Sequence, residues 1–580
     1  MGAVDVTFKF GGEAGQGVET TGRAFARSVV RAGLHVFGYQ DYHSRIRGGH
    51  NYYQIRVSDR EVHSHNEQVH VLLPFTQVTV NEHLREVVPG GAVVLDPALG
   101  IDEKQIAATG ARPMPVPLQQ IALNEGGDVV MANTAATGAA AGLVGLDLEV
   151  VSGVVRDSFG KKGGPVVEKN LKVAAAAYGF ARDKYARDFA FKLTGRKGSP
   201  RMMISGNDAL AMGALVGGVK FVAGYPMTPG SPILEWLAAH SAEYGLVTKH
   251  AEDEIAAVNM IIGAAQMGAR SLTTTSGGGF CLMVEALGLA GMTEVPIVVI
   301  DVQRPGPATG HATRHEQGDL LFLIHAAQGE FPRIVLAPGT IEQCFEAGYR
   351  ALNLAERFQC PVLILSDAFL AHSPRDPPLE AFDLNVPIDR GDLLTEEQLD
   401  TLQAPYLRHA VTESGVSPRA LPGHPKAVYP ISSDEHEANG HICEDAAARI
   451  EQMSKRMRKL ETARGEMSAP IEYGPREAEL TFVTWGSTVG PLRSVLELLQ
   501  AEGKTAHIVQ IVDIWPLPVD KVEQALQGAK KLVVVEQNYG GQLATLLRAC
   551  TDVRPAALIN RYDGRPMTPE YILRRLQEVA

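Results

Sequence analysis

The sequence is poor in cysteine. It holds five cysteines in 580 residues, and no two of them form a C-x-x-C pair. Ferredoxin-type iron-sulfur clusters and structural zinc sites need closely spaced cysteines, so this chain supplies neither. The odd, scattered set also argues against a disulfide framework. We expect most of these cysteines to be buried as small apolar residues: Cys281, Cys344, Cys360, Cys443 and Cys550.

The sequence also lacks an excess of basic residues and lacks long apolar runs. Its 54 Lys and Arg against 66 Asp and Glu give a net charge of -12, which argues against a nucleic-acid partner. No apolar run approaches the roughly 18 residues that span a bilayer. The first residues, MGAVDVTFKFGG, do not combine a basic region with a long apolar one. We therefore expect a cytoplasmic chain with no membrane partner.

Short apolar runs that read as buried strands alternate with amphipathic or alanine-rich helices along most of the chain. This alternation predicts the α/β class, with parallel sheets covered by helices on both faces. A chain of 580 residues exceeds one hydrophobic core, so several domains are expected. Composition predicts these segments: an α/β domain at 1–185, a linker at 186–199, a second α/β domain at 200–372, a connector at 373–474 and a third α/β domain at 475–580.

The connector contains a helix-forming stretch with many charges, RIEQMSKRMRKLETARGE. Charges of both signs alternate along it, and apolar residues are few. Such a pattern is typical of a helix with a solvated face. We therefore expect these lysines and arginines to lie in water.

Three prolines crowd the segment AGYPMTPGSPILEW, which follows an apolar run and precedes a helix. Each proline fixes φ and removes a backbone donor, so the segment is neither a central strand nor the middle of a helix. It reads as a rigid loop that carries Tyr225, Thr228 and Ser231. An ordinary strand-to-helix connection with Ser231 as the N-cap explains the same residues, and both interpretations stay open.

Two glycine-rich segments occur in the first domain. In GGEAGQGV the spacing is G-x-x-G-x-G, which differs from the dinucleotide fingerprint, and no P-loop lysine follows. A tight structural turn is the simpler interpretation, with an anion site at the helix start as the alternative. In SRIRGGHNYYQIR, Arg45 and Arg47 could bind an anion or mark a turn before a strand.

Carboxylates open an apolar helix in HAEDEIAAVNMIIGAAQMGAR. After Glu254 the helix surface consists mainly of alanine, isoleucine, methionine and glycine. Acids in a first turn complement the helix dipole, which explains the cluster Glu252, Asp253 and Glu254 as a whole. One of the three could still take part in chemistry.

An arginine follows the buried strand in VIDVQRPGPATGHATRHEQGDL. Ligands of open parallel sheets bind beyond the carboxyl ends of the strands, so Arg304 is a candidate for binding an anion. A guanidinium suits a carboxylate better than an ammonium does. A salt-bridged loop arginine is the alternative. The loop that follows carries His311, Arg314, His315 and Asp319.

These motifs form a recognisable set when taken together. GYPMTPGS, EDEIAA, LTTTSGGGFCLMVEALGLAG and VQRPGPATG with EQGDL follow one another, and DEHEANGHI, SKRMRKLE, VEQNYGGQL and RYDGRPMTP come later. The set resembles the α subunit of the 2-oxoacid:ferredoxin oxidoreductases, most closely the 2-oxoglutarate (KorA-like) branch. The first 180 residues, with GGEAGQGV and RIRGGHNYYQIRVSD, are similar to the γ subunit of these enzymes, here fused in front of α.

The resemblance implies a 2-oxoacid, coenzyme A and ferredoxin as reactants, with thiamine diphosphate as the cofactor, in the TCA cycle or in CO₂ fixation. It implies a γ-like domain, a thiamine-pyrimidine-binding domain and a transketolase C-terminal-like domain. The G-D-G motif typical of the diphosphate site is missing. A separate β subunit must therefore supply Mg²⁺, the diphosphate ligands and a 4Fe-4S cluster, and an (αβ)₂ heterotetramer is implied. This chain has no metal ligands of its own in that scheme.

Residue roles follow from the same resemblance. Glu254 matches the family glutamate that hydrogen-bonds the pyrimidine ring nitrogen of the cofactor. Thr228 and Arg304 match the positions that bind the 1-carboxylate of the substrate, and Tyr225 and Pro226 are expected cofactor contacts beside Thr228 and Glu254. The usual form of the loop is YPITPSS, so Gly230 removes a hydroxyl and leaves its role in doubt.

A dicarboxylate substrate needs a further cation at its distal end. Arg314 and His311 are the residues expected to supply it, although the β subunit could equally do so. We expect 2-oxoglutarate, with pyruvate or a branched 2-oxoacid as the alternative. Cys281 is expected to be a packing residue. Three rival functions stay open: a non-catalytic assembly or nucleotide-binding subunit, a self-sufficient transketolase-like enzyme, and a CoA ligase.

Overall fold

The computed structural model describes residues 4–43 and 48–579. Arg45 and Arg47, named above as possible anion-binding residues, lie outside the described residues. The chain forms two compact units. The first unit comprises Met1–Ile204, His372–Ala381 and Thr568–Tyr571, and the second comprises Ser205–Ala371, Phe382–Met567 and Ile572–Ala580. No helix among the described residues combines the length and the apolar character needed to cross a membrane.

The first unit is built on a six-stranded sheet with the order β2-β3-β1-β4-β5-β6. β3 runs antiparallel to both β1 and β2, and the pairs β1/β4, β4/β5 and β5/β6 are parallel. Phe8, fully buried, is paired with Ile55 on one side and Val71 on the other. The strands are β1 Asp5–Ala14, β2 His35–Asp41, β3 Gly48–Ser58, β4 Val69–Pro74, β5 Val87–Leu95 and β6 Arg112–Pro115.

Seven helices among the described residues belong to the same unit, and two of them approach each other closely. A β-carbon on Gly138 of α5 would lie 2.3 Å from the carbonyl oxygen of Ala174 in α7. Only glycine permits this distance between the two backbones. The helices are α1 Val18–Arg31, α2 Gln77–His83, α3 Glu103–Ala107, α4 Leu118–Ile121, α5 Ala132–Val144, α6 Leu148–Phe159 and α7 Gly164–Tyr185.

The segment His372–Ala381 belongs to the first unit although it lies far along the chain. Gly38 donates its N–H to the carbonyl of Pro374 (2.8 Å), and Val36 donates its N–H to a carboxylate oxygen of Asp376 (2.9 Å). Asp376 also forms an ion pair with Arg201 (2.8 Å). Backbone and charge thus both hold this segment beside β2.

The second unit contains two sheets. One has seven strands in the order β16-β11-β12-β10-β9-β7-β8, and all its pairs are parallel except β11/β16. The other has five strands in the order β13-β15-β14-β17-β18, parallel except for β13/β15. The three-sheet α/β class expected from the sequence is confirmed, with antiparallel pairs confined to these places and to β3.

The strands of the second unit are β7 Phe221–Gly224, β8 Val247–His250, β9 Ser271–Thr275, β10 Val298–Gln303, β11 Ile334–Leu336, β12 Val362–Asp367, β13 Ile471–Tyr473, β14 Leu480–Thr484, β15 Ala506–Gln510, β16 Asp513–Trp515, β17 Leu532–Glu536 and β18 Ala557–Asn560. Side chains of both sheets share one hydrophobic core, to which Val299, Leu365, Val483 and Trp485 all belong.

Helices α8 to α21 follow in chain order. They are α8 Gly206–Val216, α9 Ser231–Ala239, α10 Ser241–Tyr244, α11 Glu254–Gln266, α12 Gly277–Thr293, α13 Leu320–His325, α14 Ile341–Phe358, α15 Ala368–His372, α16 Glu396–Asp400, α17 Ala446–Glu466, α18 Val489–Ala501, α19 Val519–Leu526, α20 Gln542–Cys550 and α21 Pro569–Val579.

The expectation that the lysines and arginines of the charged helix, now α17, lie in water is wrong for Lys455, Arg456 and Lys459, although Arg449 and Arg464 are exposed. Gln452, Lys455, Arg456 and Lys459 are all buried. Arg456 is satisfied by a two-pronged pair with the carboxylate of Glu435, at 2.8 and 2.7 Å. Burial of so many charges is tolerated only where partners are present.

Glu294, at the C-terminal end of α12, is the partner of both buried lysines. Lys455 and Lys459 each form an ion pair with its carboxylate, and Nδ1 of His409 lies 2.9 Å from Oε1. The two ammonium groups hold the pKa of Glu294 well below its usual range despite the opposing effect of burial. Glu294, His409 and His436 are spaced as metal ligands could be. The charge of the two lysines opposes a cation there.

Candidate functional site

The candidate residues come together at the carboxyl edge of the seven-stranded sheet. β7 leads into the loop that carries Thr228, β9 leads into α12, and β10 leads into the loop that begins at Arg304. These three strands are neighbours in the sheet, in the order β10-β9-β7. Parallel strands bring the loops at their carboxyl ends to one edge, where open α/β sheets bind ligands.

Thr228 and Arg304 are in direct contact. The guanidinium of Arg304 donates from Nη1 to the carbonyl oxygen of Thr228 at 2.7 Å. Both residues are half-buried, so neither is closed off from a ligand. The structure therefore brings together the two residues expected to bind a substrate carboxylate.

The loop around Thr228 packs tightly against β9. Helix α9 begins at Ser231 with Gly230 in the N-cap position, one residue before the expected cap. A β-carbon on Gly230 would lie 2.8 Å from Oγ1 of Thr274 and 2.9 Å from the carbonyl oxygen of Thr275. The glycine that replaces the usual serine is thus the residue that lets this loop approach β9.

Glu254 is the first residue of α11 and only 3% exposed. Its neighbour Asp253 caps the helix by accepting from the N–H of Ala256 at 2.7 Å, and Glu252 is exposed. The acidic cluster therefore divides into two exposed residues, of which Asp253 caps the helix, and one buried carboxyl group. Among the described residues, no hydrogen-bond partner reaches Oε1 of Glu254.

A glycine keeps the space beside Glu254 open. A β-carbon on Gly279 of α12 would lie 2.2 Å from Oγ1 of Thr275 and 2.6 Å from Oε1 of Glu254. Oγ1 of Thr274 and Oγ of Ser276 are also buried without hydrogen-bond partners among the described residues. Buried polar atoms are nearly always satisfied in a folded protein, so their concentration here points to a polar ligand. A carboxyl group and hydroxyls fit an aminopyrimidine ring, which offers ring nitrogens and an amino group.

Tyr225 and Pro226 lie at the outer end of the same loop. Both are exposed, Tyr225 to 39%. Their position leaves them accessible to a cofactor or to a partner chain, and as cofactor contacts they stay predictions.

His311 and Arg314 lie beside the RYDGRPMTP segment. A β-carbon on Gly564 would be 3.3 Å from Cβ of Arg314 and 3.6 Å from Nδ1 of His311. The N–H of His315 donates to the carbonyl of Gly564 at 3.2 Å. The second half of the chain thus supports the loop that carries both candidate cations.

EQGDL and VEQNYGGQL meet in a buried hydrogen-bond network. Gln317 donates its N–H to the carbonyl of Gln537 (2.7 Å) and its side-chain amide to Asp367 (3.0 Å). Gln542 donates its amide to the carbonyl of Gly318 and accepts the N–H of Leu321, at 2.6 and 2.9 Å. These bonds connect the segments that follow β10 and β17 with the end of β12, and so join the two sheets of the second unit.

The sequence analysis did not name Asp301, on β10, as a candidate site residue. A charged residue within the apolar run VVIDVQ could have indicated it. It is fully buried, and burial together with the charge of nearby Asp319 holds its pKa well above the usual range. Burial likewise raises the pKa of Asp319 to about 6. Asp319 was noted only as a member of its loop.

The expectation that Cys281 is a packing residue is wrong, because Cys281 is exposed. Cys344 and Cys360 are buried as expected, while Cys443 and Cys550 are half-buried. Cys281 lies two residues after Gly279 on the outer face of α12.

Family models cover most of the chain. Residues 212–456 match the thiamine diphosphate-binding model of pyruvate flavodoxin/ferredoxin oxidoreductase. Residues 7–180 match a pyruvate ferredoxin/flavodoxin oxidoreductase model, and residues 478–572 match core domain II of pyruvate:ferredoxin oxidoreductase.

Two named relatives match this chain at 34% and 30% sequence identity. The 2-oxoacid:ferredoxin oxidoreductase 2 subunit alpha of Aeropyrum pernix is 34% identical, with 97% of this chain and 96% of the relative covered. The 2-oxoglutarate synthase subunit KorA of Methanothermobacter marburgensis is 30% identical over 64% of this chain and 97% of its own length.

A solved structure also aligns with nearly the full length. It is a 2-oxoglutarate:ferredoxin oxidoreductase from Magnetococcus marinus with 2-oxoglutarate, coenzyme A and succinyl-CoA bound. It is 32% identical, with a TM-score of 0.91 and 99% of each chain covered. The similarity therefore includes both the fold and the order of all its parts.

Proposed function

Since the chain belongs to the family of 2-oxoacid:ferredoxin oxidoreductase α subunits and contains their thiamine diphosphate-binding domain, we propose that it acts on 2-oxoglutarate. The reaction interconverts 2-oxoglutarate, coenzyme A and oxidised ferredoxin with succinyl-CoA, CO₂ and reduced ferredoxin. The observation that carries the proposal is the buried Oε1 of Glu254 close to β9, which has no hydrogen-bond partner in residues 4–43 and 48–579, with the contact between Arg304 and Thr228 at the same sheet edge.

Oε1 of Glu254 would hold and transfer a proton as the partner of the pyrimidine ring of the cofactor. When bound, thiamine diphosphate supplies the carbanion chemistry that allows the carboxyl group of the substrate to leave. Within the part of the chain that the structure describes, Oε1 has no other partner, which supports this role, because a carboxyl group already engaged by the protein would not be available for the cofactor. Tyr225, Pro226 and Thr228 complete the cofactor side of the site.

Arg304 and Thr228 bind the 1-carboxylate of the substrate. The hydrogen bond from Arg304 to the Thr228 carbonyl orders both groups before substrate arrives. Prolines on either side of Met227 and Thr228 keep the loop rigid, so little conformational entropy is lost at each turnover. Arg314, with His311, binds the distal carboxylate, and the relative named 2-oxoglutarate synthase subunit KorA supports a dicarboxylate substrate.

A β subunit completes the active site. It carries Mg²⁺, the diphosphate ligands and a 4Fe-4S cluster, and it passes electrons to ferredoxin within an (αβ)₂ assembly. The exposed apolar residues Ile255 and Leu282, each 51% exposed, flank Glu254 and Gly279 on the outer faces of α11 and α12. Apolar side chains exposed beside a candidate site support its location at a subunit interface.

The domains follow the three sheets in this proposal. Residues 1–185 form the γ-like domain, 200–372 the pyrimidine-binding domain and 475–580 the transketolase C-terminal-like domain, with a linker at 186–199 and a connector at 373–474. The hydrogen bonds between EQGDL and VEQNYGGQL support a scaffolding role for the last domain. Coenzyme A is the acyl acceptor, as the ligands of the Magnetococcus marinus enzyme support.

The test is anaerobic. The tagged chain is isolated from its host together with its partner subunit, and coenzyme A-dependent reduction of a viologen dye is measured with 2-oxoglutarate and with pyruvate. We expect reduction with 2-oxoglutarate. Reduction with pyruvate but not with 2-oxoglutarate would agree with the family assignment and would reject 2-oxoglutarate as the substrate. No reduction by an iron-containing complex would favour a non-catalytic subunit.

Glu254→Gln tests the central residue. We expect turnover to fall about 10²- to 10⁴-fold, as for loss of a positioned acid or base, with the assembly intact. Glu252→Gln is the matched control, because Glu252 is an exposed carboxylate two positions away. Normal turnover in Glu254→Gln would overturn the assigned role.

A further inference from the structure

The segment between β10 and α13, residues 304–319, is closed at its base by one side chain. Gln303, the last residue of β10, has no exposed surface. Its Oε1 accepts the N–H of Asp319 at 2.9 Å, and its Nε2 donates to the carbonyl of Ser366 in the neighbouring strand β12 at 3.0 Å. The two ends of this segment, the β10–α13 loop, are therefore held together and to the sheet.

Backbone contacts also fold the β10–α13 loop back on itself. The N–H of His311 donates to the carbonyl of Pro305 at 3.0 Å, and the N–H of Arg314 donates to the carbonyl of His311 at 3.1 Å. Gly310 has a φ of +51°, and a β-carbon there would lie 1.7 Å from the carbonyl oxygen of Pro305. Only glycine permits this turn. Two hydrogen bonds thus connect the backbone beside Arg304 with the backbone of Arg314.

His315 anchors the far side of the loop. It is 4% exposed, its N–H donates to the carbonyl of Gly564 at 3.2 Å, and its Nδ1 accepts the N–H of Phe369 at 3.2 Å. Phe369 is the second residue of α15, and the N–H groups of a first helical turn have no acceptor within their own helix. His315 therefore ties the chain next to Arg314 to two other segments of the second unit.

The hydrogen bond from Phe369 defines the form of the imidazole ring. A nitrogen that accepts an N–H carries no proton, so in the neutral ring the proton of His315 is on Nε2. Burial lowers the pKa of His315, against the opposing effect of the charge of Asp367, and so favours the neutral ring. Asparagine would keep an acceptor, because its Oδ1 is bonded to Cγ as Nδ1 is in histidine. Glutamine would place its oxygen one bond further out, and leucine would have no acceptor.

We propose that His315 is a positioning residue that makes the site selective for a 2-oxo dicarboxylate of the length of 2-oxoglutarate. This selectivity rests on the proposed function, in which Arg304 binds the 1-carboxylate and Arg314 the distal one. Both cations belong to one loop, so its internal contacts set the separation of the two carboxylates that the site accepts. The anchor at His315 holds the backbone of Arg314 in place before substrate binds, which reduces the entropy lost on binding.

The two anchors of the loop predict different defects. Gln303 directly precedes Arg304 and holds both ends of the loop, so its loss should affect both carboxylate sites. His315 directly follows Arg314, so its loss should affect the distal site alone. The probe 2-oxopentanoate distinguishes the two sites, because it has the carbon chain of 2-oxoglutarate with a methyl group in place of the distal carboxylate.

The first test measures hydrogen exchange of the unliganded full chain by mass spectrometry and needs no turnover. In His315→Leu, peptides that cover 304–319 and 366–371 should exchange about tenfold faster, the effect of one lost buried hydrogen bond. His315→Asn should exchange as the wild type does. His325→Leu is the matched control, because His325 is an exposed histidine on the neighbouring helix α13.

Two results of the exchange measurement would overturn the proposal. One is equal exchange in His315→Leu and wild type, and the other is exchange in His315→Asn as fast as in His315→Leu. His315→Gln, which is polar but displaces the oxygen, takes the place of His315→Leu if that variant does not fold, with the same expected result.

The second test uses the assembled enzyme. In His315→Leu, KM for 2-oxoglutarate should rise about tenfold, while kcat and the inhibition constant of 2-oxopentanoate stay unchanged. His315→Asn should restore KM. In Gln303→Met, which removes donor and acceptor at similar side-chain length, both KM and that inhibition constant should rise. A rise in the inhibition constant of 2-oxopentanoate in His315→Leu would mean a merely structural role and would overturn the proposal.

A double variant tests the link to Arg314. Arg314→Met removes the distal cation, and adding His315→Leu to it should raise KM no further, because no distal cation is left to be positioned. Effects that multiply would overturn the proposal. Equal affinity of the wild-type enzyme for 2-oxoglutarate and 2-oxopentanoate would reject the dicarboxylate substrate itself and the selectivity with it, while the exchange result would still establish the anchor.

Discussion

The guanidinium of Arg304 donates a hydrogen bond of 2.7 Å to the carbonyl oxygen of Thr228, 76 positions earlier in the chain. The bond joins the loop after β10 to the loop after β7. It fixes a cation beside a hydroxyl at one sheet edge, which is the arrangement that binding of a carboxylate requires.

Arg304→Lys should weaken substrate binding. An ammonium keeps the charge but loses the forked geometry that holds a carboxylate and the Thr228 carbonyl together. We expect KM for 2-oxoglutarate to rise about 10- to 100-fold, the range for a lost hydrogen bond to a charged group. Arg187→Lys is the control, because Arg187 is exposed in the first unit. An unchanged KM in Arg304→Lys would remove Arg304 from the substrate site.

Gly279→Ala should disturb Glu254. The added methyl would have to lie 2.2 Å from Oγ1 of Thr275 and 2.6 Å from Oε1 of Glu254, so one of these groups must move. We expect a higher concentration of thiamine diphosphate for half-maximal activity and a loss of about 1 to 3 kcal/mol in unfolding free energy. Both are measurable on the assembled enzyme.

Gly278→Ala is the matched control for that variant. It adds the same methyl one position earlier in α12, where the nearest atom, the Ala308 carbonyl oxygen, is 3.5 Å away. We expect it to be neutral or to stabilise the chain by up to about 1 kcal/mol. Equal behaviour of the two variants would contradict the steric explanation.

Gly230→Ser would restore the usual YPITPSS pattern, yet we expect it to be harmful here. The new β-carbon would lie 2.8 Å from Oγ1 of Thr274 and 2.9 Å from the Thr275 carbonyl. The loop would have to withdraw from β9, with lower turnover and a loss of about 1 to 3 kcal/mol in unfolding free energy. Gly179→Ser is the control, because among the described residues no atom beyond the neighbouring backbone of α7 lies within 4 Å of an added β-carbon, and we expect its turnover to be unchanged. A fully active Gly230→Ser enzyme would show that the loop adapts.

Glu294→Gln should strongly destabilise the chain. It leaves the buried ammonium groups of Lys455 and Lys459 without their carboxylate, a change that costs about 3 to 5 kcal/mol. Chemical denaturation measures the loss, with Glu451→Gln on the exposed side of α17 as the control. A loss below about 1 kcal/mol would mean that water reaches these lysines.

The pH dependence of stability should change in the same variant. Burial lowers the pKa of Lys455 to about 7, against about 10.4 in the unfolded chain. The unfolded chain therefore binds the extra proton between these values, and the wild-type unfolding free energy should rise with pH above about 7. Glu294 raises the pKa of Lys455, so its removal should move the onset of this rise to lower pH. An unmoved onset in denaturation curves from pH 5 to 9 would contradict the assigned pairing.

Much of the fold could be predicted from the sequence, because buried parallel strands consist of short apolar runs. VHVLLP is β4, and PVLILSD contains β12. Glu254 was also readable, since a carboxylate before an apolar helix is rare enough to notice. The sequence could not show that Oε1 of Glu254 has no hydrogen-bond partner among the described residues. That property depends on Gly279 and Thr275, which come close to Glu254 only after folding.

The burial of α17 could not be read from its sequence. Lysine and arginine usually lie in water, and a local pattern cannot show that a carboxylate 161 positions away will neutralise Lys455. Asp301 and Asp319 posed the same difficulty. Each is an ordinary residue in its own segment, and the pKa of each is raised only because folding buries it.

The composition of the first unit has a consequence for how the chain is made. Its last pieces are His372–Ala381 and Thr568–Tyr571, where the Thr568 hydroxyl donates to a carboxylate oxygen of Glu67 at 2.8 Å. A ribosome adds about 5 to 20 residues per second, so tens of seconds pass between synthesis of Ile204 and of Tyr571. The first unit, which contains the N-terminal residues, is therefore among the last parts of the chain to be completed. Until the later segments are made, the flank of β2 stays uncovered and accessible to chaperones.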